Sequence, residues 1–209
     1  MSKALRLIYS PRRSAIWRTL PSVLLIYVLM LPSQWGLFAS TDNDSAARHV
    51  FATAQFILLL ALVWSLFSYF SSVEHPQCRE LMDALHHPSR LCALALWLEH
   101  QIQTVPLYII YFILLPFQLR IVPLLLFQSV CICAAFSCFT ALFRSALVGT
   151  VLCLITPVIS FITDSYIPLL LVQTNCLPSE LTPTYWLTHS GIILVCLVLT
   201  RIARKTSKY

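Results

Sequence analysis

Glycine is scarce in this chain: only Gly36, Gly149 and Gly191 occur among 209 residues. Phosphate-binding loops such as the Walker A and G-x-G-x-x-G motifs need several glycines at fixed spacing, because their backbone approaches the phosphates closely. Three isolated glycines form neither motif. We therefore expect that this chain does not bind nucleotide in either of these ways and does not hydrolyse ATP alone.

Charged residues are also scarce, at 11% of the chain, whereas soluble domains carry about a quarter. Hydrophobic residues make up 58% of the sequence and the mean hydropathy is +0.80. This composition excludes a typical soluble enzyme and a disordered chain. The net charge of +6 comes from short runs of Lys and Arg between apolar segments, not from one basic face, so we expect no nucleic-acid partner.

The apolar segments predict an all-α integral membrane protein with six transmembrane helices. A spanning helix needs roughly 20 predominantly apolar residues, and its backbone must be paired internally. The six predicted spans are residues 20–39, 50–70, 94–118, 121–142, 147–163 and 187–200. Residues 1–19 mix apolar and basic side chains and predict an amphipathic interfacial helix. Residues 164–186 hold an apolar run too short to span and predict an outer re-entrant segment.

Positive charges predict the orientation of the chain. Six spans place twelve Lys and Arg residues on one side of the membrane and leave only Arg48 and Arg120 on the other. Cytoplasmic segments carry the excess of Lys and Arg, so both termini are predicted to be cytoplasmic. The predicted location is the bacterial inner membrane, with the mitochondrial inner membrane as the alternative.

The cysteines predict neither a metal site nor a disulfide framework. No C-x-x-C occurs, and five of the eight cysteines lie within predicted spans, where we interpret them as small apolar packing residues. These five are Cys131, Cys133, Cys138, Cys153 and Cys196.

No catalytic residue is predicted. The spacing of Ser, His and Asp residues indicates no nucleophilic triad and no carboxylate pair. Among the acidic residues predicted outside, Asp164 and Glu180 belong to the outer segment. Asp164 lines a substrate exit in one interpretation and merely ends a helix in the other.

The polar first part of the third span carries Glu99 and His100. An ionisable residue inside a span is by default a functional hypothesis, so these are candidate functional residues within the membrane. The alternative is an interfacial position with a hydrogen bond to a neighbouring helix. His49 and His189 lie near predicted span ends and are haem ligands or have no special role.

Residues 71–92 form the longest predicted cytoplasmic loop. Within it, residues 77–87 predict a short amphipathic helix that Pro88 ends. Leu81 and Leu85 form its apolar stripe. Its charged face consists of Arg79, Glu80 and Asp83. This helix is predicted to dock an energy-coupling partner; the alternative is an interfacial helix that only anchors the bend.

These features together resemble the ABC-2 type permeases, whose equivalent loop typically reads G-T-L-E-x-L-x-x-x-P and contacts an ATPase subunit. Residues 79–88 take its place here, without the usual glycine. The chain also resembles the cytochrome c maturation protein B family within that superfamily. Residues 98–101 (L-E-H-Q) and 104–107 (T-V-P-L) are similar to its A-H-W and T-G-L-P-L, with Gln101 in place of tryptophan. Residues 144–157 resemble its basic loop and proline-containing fifth span.

The resemblance implies a transmembrane permease subunit that couples ATP hydrolysis by a separate ATPase to haem delivery or release for cytochrome c maturation. Its implied partners are the ATPase subunit, which uses ATP and Mg²⁺, and a haem-handling membrane protein or a second permease copy. Haem would lie at an interface of the complex, and no cofactor is expected on this chain alone. The alternatives are an ABC-2 exporter subunit for a lipid-linked glycan, peptide or drug, and a membrane scaffold.

Overall fold

The computed structural model describes residues 19–29, 43–74, 89–114, 121–162 and 183–206. Within these ranges every residue is helical except Arg144 and Ser145, and no strand occurs. The helices are α1 (Thr19–Leu29), α2 (Asn43–Glu74), α3 (Ser89–Leu114), α4 (Ile121–Phe143), α5 (Ala146–Ile162) and α6 (Pro183–Thr206). The predicted all-α class is confirmed for this part of the chain.

Three helices are long and apolar enough to cross a membrane, within α2, α4 and α6. The segments concerned are Phe51–Ser71, Ile121–Phe143 and Pro183–Ala203. Helix α3 has 26 residues, but the polar run from Glu99 to Gln103 lowers its hydropathy. By length and composition the protein is therefore a membrane protein, and the six-span topology stays a prediction.

Three helices extend several residues beyond the predicted spans: α2, α6, and α3, which begins at Ser89 and not at Leu94. Helix α2 continues past residues 50–70 at both ends, and α6 begins at Pro183, four residues before the predicted boundary at Leu187. Proline suits the first turn of a helix, because its missing N–H needs no partner there and its φ angle is preset. Three of the predicted features lie wholly or mostly outside the described ranges. They are the interfacial helix (residues 1–19), the coupling helix at residues 77–87 and the outer segment (residues 164–186).

Helix α4 is at the centre of the bundle. It packs against α2, α3, α5 and α6, while α2 also contacts α1, α3 and α5. The apolar window of α4 is 67% buried and that of α6 only 17%. A helix that is apolar on all sides is expected to be surrounded by others, so α4 forms the core and α6 lies at the edge.

Large apolar side chains remain exposed on the outer faces of the helices. On α3 they recur at helical spacing, at Leu94, Leu98, Ile102, Val105 and Ile109. On α6 they include Leu187, Leu194, Val198 and Ile202. Apolar stripes of this extent are rare on soluble monomers and are what a lipid-facing helix presents.

A two-residue turn joins α4 to α5. Arg144 has a φ of 53°, the left-handed conformation that often ends a helix. The Ser145 hydroxyl then accepts a hydrogen bond from the backbone N–H of Val148 at 3.4 Å, which is the N-cap arrangement. The sequence Arg-Ser therefore ends one helix and starts the next, and α5 packs directly on α4.

Candidate functional site

The buried apolar residues form two clusters along the bundle. The large cluster takes in the second half of α2, the start of α3, the middle of α4, and parts of α5 and α6; its members include Leu62, Leu66, Leu96, Ile132 and Phe136. The small cluster consists of residues from α1, the first half of α2, the second half of α3 and the first turns of α4 and α6. Its members include Ile26, Phe51, Leu107, Leu124 and Tyr185. The second half of α4 thus contacts different neighbours from its first half.

Most buried polar side chains of the described residues lie close to where the two clusters meet; Ser22, Ser65 and Thr200 lie elsewhere. On α3 they lie between Leu96 and Leu107, on α4 between Leu125 and Cys131, and on α6 between Tyr185 and Cys196. On α2, Gln55 lies among small-cluster residues, one turn before Leu59 of the large cluster. We call this set the polar zone: Gln55, His100, Gln101, Thr104, Gln128, Ser129 and His189.

Ser129 holds together the part of the polar zone between α3 and α4. Its Oγ accepts hydrogen bonds from Trp97 Nε1 at 2.8 Å and from Gln101 Nε2 at 3.0 Å. The same hydroxyl donates to the Leu126 carbonyl at 2.7 Å. Gln101 Oε1 in turn accepts from the Tyr108 hydroxyl at 3.2 Å. These bonds fix the rotation of α3 against α4, because interhelical hydrogen bonds join specific positions.

Gln128 joins the polar zone to α6. Its Nε2 donates to the Tyr185 hydroxyl at 3.0 Å. His189 Nδ1 lies 2.7 Å from the Tyr185 backbone carbonyl, which can only accept, so Nδ1 carries the proton in this contact. The Tyr185 and His189 rings are 4.0 Å apart between centroids. The first two turns of α6 therefore carry a fixed polar pair into the interior.

Three side chains of the polar zone have polar atoms without a hydrogen-bond partner among the residues that the structure describes. These atoms are both amide atoms of Gln55, Nδ1 of His100 and Oε1 of Gln128. Gln55 and Gln128 are 0% exposed and His100 is 2% exposed. Each unpaired buried group costs about 1–3 kcal/mol, and native proteins contain few of them. Three on mutually packed helices mark this zone as the candidate site.

A separate contact fixes α1 beside the polar zone. Pro106 inside α3 removes the backbone donor that would pair with the carbonyl of Ile102. The backbone carbonyl of the following residue, Gln103, accepts a hydrogen bond from the Tyr27 hydroxyl at 2.7 Å. The side-chain oxygen of Gln103, Oε1, accepts a second hydrogen bond from Ser22 Oγ at 3.1 Å. Tyr27 lies in a π-helical turn, Leu25–Leu29, a feature that often occurs near functional sites.

Only part of the predicted site lies within the described residues. Of the candidate pair within the membrane, His100 lies in the polar zone, while Glu99 is half-buried next to it on α3. The predicted coupling residues and the acidic residues of the outer segment lie outside the described residues: Arg79, Glu80, Leu81, Asp83, Leu85, Asp164 and Glu180.

Sequence reasoning missed the glutamines as site residues. Gln55 and Gln128 read as single polar interruptions in apolar spans. A polar residue on the buried face of a membrane helix is rare and frequently functional, and Gln128 follows Leu124 and Leu125 at core spacing. That spacing is the signal that could have identified it.

The five cysteines of α4, α5 and α6 lie in or against the large cluster. Cys131, Cys138, Cys153 and Cys196 are buried and Cys133 is half-buried, and all five are free thiols. Cys133 Sγ donates to the Ala93 carbonyl at 3.7 Å. Within the described ranges no group of three His, Cys, Asp or Glu residues has the geometry to hold a metal ion. The thiols therefore contribute small apolar volume to the core.

The chemistry open to the polar zone follows from its composition. Among the described residues, the buried polar side chains are Ser, Thr, Gln and His, without Asp, Glu, Lys or Arg. Such a set can donate and accept hydrogen bonds, but it supplies no fixed charge.

Comparison with protein-family models, curated proteins and solved structures finds no match to this chain.

Proposed function

We propose that this chain is the transmembrane permease subunit of an ABC transporter complex, in which a separate subunit hydrolyses ATP. The observation that supports a moving membrane subunit is that Gln55, His100 and Gln128, on the packed helices α2, α3 and α4, have polar atoms without a hydrogen-bond partner among the described residues. Helices that meet across unpaired polar atoms gain hydrogen bonds when they separate enough to admit water or a ligand. A second arrangement is therefore close in free energy, as a conformational cycle requires.

The coupling element in this proposal is the cytoplasmic loop between α2 and α3. Arg79, Glu80 and Asp83 make the polar contacts with the ATPase, and Leu81 and Leu85 anchor the helix. Both flanking helices reach the polar zone through Gln55 and His100. A displacement of the loop would therefore change the spacing of the two helices that carry unpaired groups.

Two substrate classes are compatible with this role. The family resemblance implies haem delivery or release for cytochrome c maturation, with haem at an interface of the complex. The composition of the polar zone is compatible with the ABC-2 exporter alternative, because its described side chains are uncharged hydrogen-bonding groups. An exported molecule with hydroxyl or amide groups would meet groups that pair with it.

Purification of the tagged chain from its own host membrane tests the proposal. We expect an ATPase subunit to co-purify and the complex to hydrolyse ATP, while the isolated chain does not. Deletion of the chain distinguishes the substrates, because loss of c-type cytochromes indicates haem delivery and their retention indicates export of another molecule. Purification without any ATPase under conditions that preserve a known ABC complex would contradict the proposal.

A further inference from the structure

We propose that the polar zone binds an uncharged molecule through its hydroxyl or amide groups, with Gln55, His100 and Gln128 as the contacting side chains. The inference rests on the proposed function in one respect, since the bound molecule would be the substrate class of the permease. The binding itself is a property of this chain and can be measured without the ATPase.

The unpaired atoms define what the ligand must offer. Gln55 Nε2 donates and Gln55 Oε1 accepts, so this side chain alone calls for a partner with both an acceptor and a donor. Gln128 Oε1 adds an acceptor, and His100 Nδ1 donates or accepts according to its tautomer. A hydroxyl group or an amide supplies both functions, whereas a purely accepting group satisfies only part of the set.

The three side chains lie on three mutually packed helices. Gln55 is on α2, His100 on α3 and Gln128 on α4, and each of these helices packs against the other two. Gln128 is held by its bond to Tyr185, which occupies its amide nitrogen and leaves its oxygen for a ligand. The neighbouring Gln101 and Ser129 are already paired with each other. The zone thus combines paired groups, which fix its geometry, with polar atoms that have no partner among the described residues.

A neutral ligand suits the polar zone better than an ionic one, since the nearest described acidic side chain, Glu99, is only half-buried. An ion moved from water into an apolar interior loses its hydration, and only a counter-charge offsets that loss. The described buried residues include no Asp, Glu, Lys or Arg. A neutral ligand loses less and recovers its hydrogen bonds from the glutamines. Water shares this chemistry with a hydroxyl-bearing solute, so a test must separate the two.

The experiment uses the full-length chain in lipid nanodiscs and radiolabelled hexyl β-glucoside as a neutral hydroxyl-bearing probe. Saturable binding above that of protein-free nanodiscs is measured for the natural chain and for Gln55→Leu, Gln128→Leu and Gln103→Leu. Gln103→Leu is the matched control, because Gln103 pairs with Ser22 outside the polar zone. Unlabelled hexyl sulfate serves as the charged competitor. Size-exclusion elution and helical circular dichroism verify that each variant is folded.

We expect saturable glucoside binding that is at least tenfold weaker in Gln55→Leu and Gln128→Leu and unchanged in Gln103→Leu. Hexyl sulfate should not compete. Equal binding by Gln55→Leu and the natural chain would overturn the inference, as would effective competition by the sulfate. Absence of saturable binding in the natural chain would mean that water alone fills the zone, which also overturns it. Co-purification of the ATPase is a separate measurement. A negative binding result therefore does not contradict the permease proposal, and a lack of ATPase co-purification does not contradict ligand binding.

Discussion

Gly149 sets the closeness of α4 and α5. A Cβ atom added there would lie 2.6 Å from Thr140 Oγ1, a separation that side chains do not tolerate, and 3.5 Å from the Phe136 carbonyl oxygen. Gly191 on α6 has no neighbour within 4 Å of the same added atom. The two helical glycines thus offer a matched pair in which only the packing differs.

We predict that Gly149→Ala lowers the free energy of unfolding by about 1–3 kcal/mol, as overpacking of a close contact does. Gly191→Ala should raise it by about 0.5–1 kcal/mol, because alanine is the better helix former. Thermal unfolding in detergent measures both. The double variant Thr140→Ala/Gly149→Ala should recover most of the loss. A loss from Gly149→Ala no larger than any loss from Gly191→Ala would contradict the close contact.

The hydrogen bonds that Ser129 accepts from α3 can also be tested by substitution. Ser129→Ala removes the acceptor of both Trp97 and Gln101, and we predict a loss of about 1–2 kcal/mol, since interhelical hydrogen bonds in membranes are modest. Trp97 fluorescence should shift with it. Ser68→Ala is the control, because its hydroxyl bonds only within its own exposed turn. Equal effects of the two substitutions would show that the Ser129 network carries no interhelical stability.

The predicted element most directly tied to the proposed function is the helix expected at residues 77–87. If it docks the ATPase, Arg79→Glu and Glu80→Arg should each weaken association by about 2–5 kcal/mol, because one partner of a partly desolvated charge pair is reversed. The chain should still insert, since neither residue lies in a predicted span. Co-purification of the ATPase, normalised to membrane abundance, is the measurement.

Leu81→Asp should act differently from the charge reversals. It places a charge on the predicted apolar stripe and should lower both docking and protein abundance. His86→Ala and His87→Ala serve as controls and should have mild effects. Full association of both charge reversals would make the loop a passive bend and remove the local basis of the permease proposal.

The orientation of the whole chain in the membrane can be tested. The distribution of Lys and Arg predicts Cys78 and Cys92 inside and Cys176 outside. Single-cysteine variants on intact cells, treated with a membrane-impermeant thiol reagent, should label at Cys176 only. Permeabilised cells provide the control in which all three react. Labelling of Cys78 from outside would contradict the six-span topology.

Hydropathy predicted the helices but not their rotation. Runs of apolar residues locate α2, α4 and α6 because a membrane selects length and composition. The same runs do not reveal that Gln128 meets Tyr185 or that Ser129 receives two donors, since those pairings depend on which face of each helix turns inward. His100 was predicted because an ionisable residue stands out in a span. Gln55 was missed because a single uncharged residue does not.

The bond between Gln128 and Tyr185 has a consequence for biosynthesis. Membrane chains are made from the N-terminus, so α4 enters the bilayer while α6 is still being synthesised. Until residue 185 arrives, the Gln128 amide nitrogen lacks the hydroxyl that it donates to in the finished protein. A nascent chain that stops before α6 therefore exposes an additional unpaired group within lipid, and membrane quality control can recognise such a group. Completion of the last helix removes it.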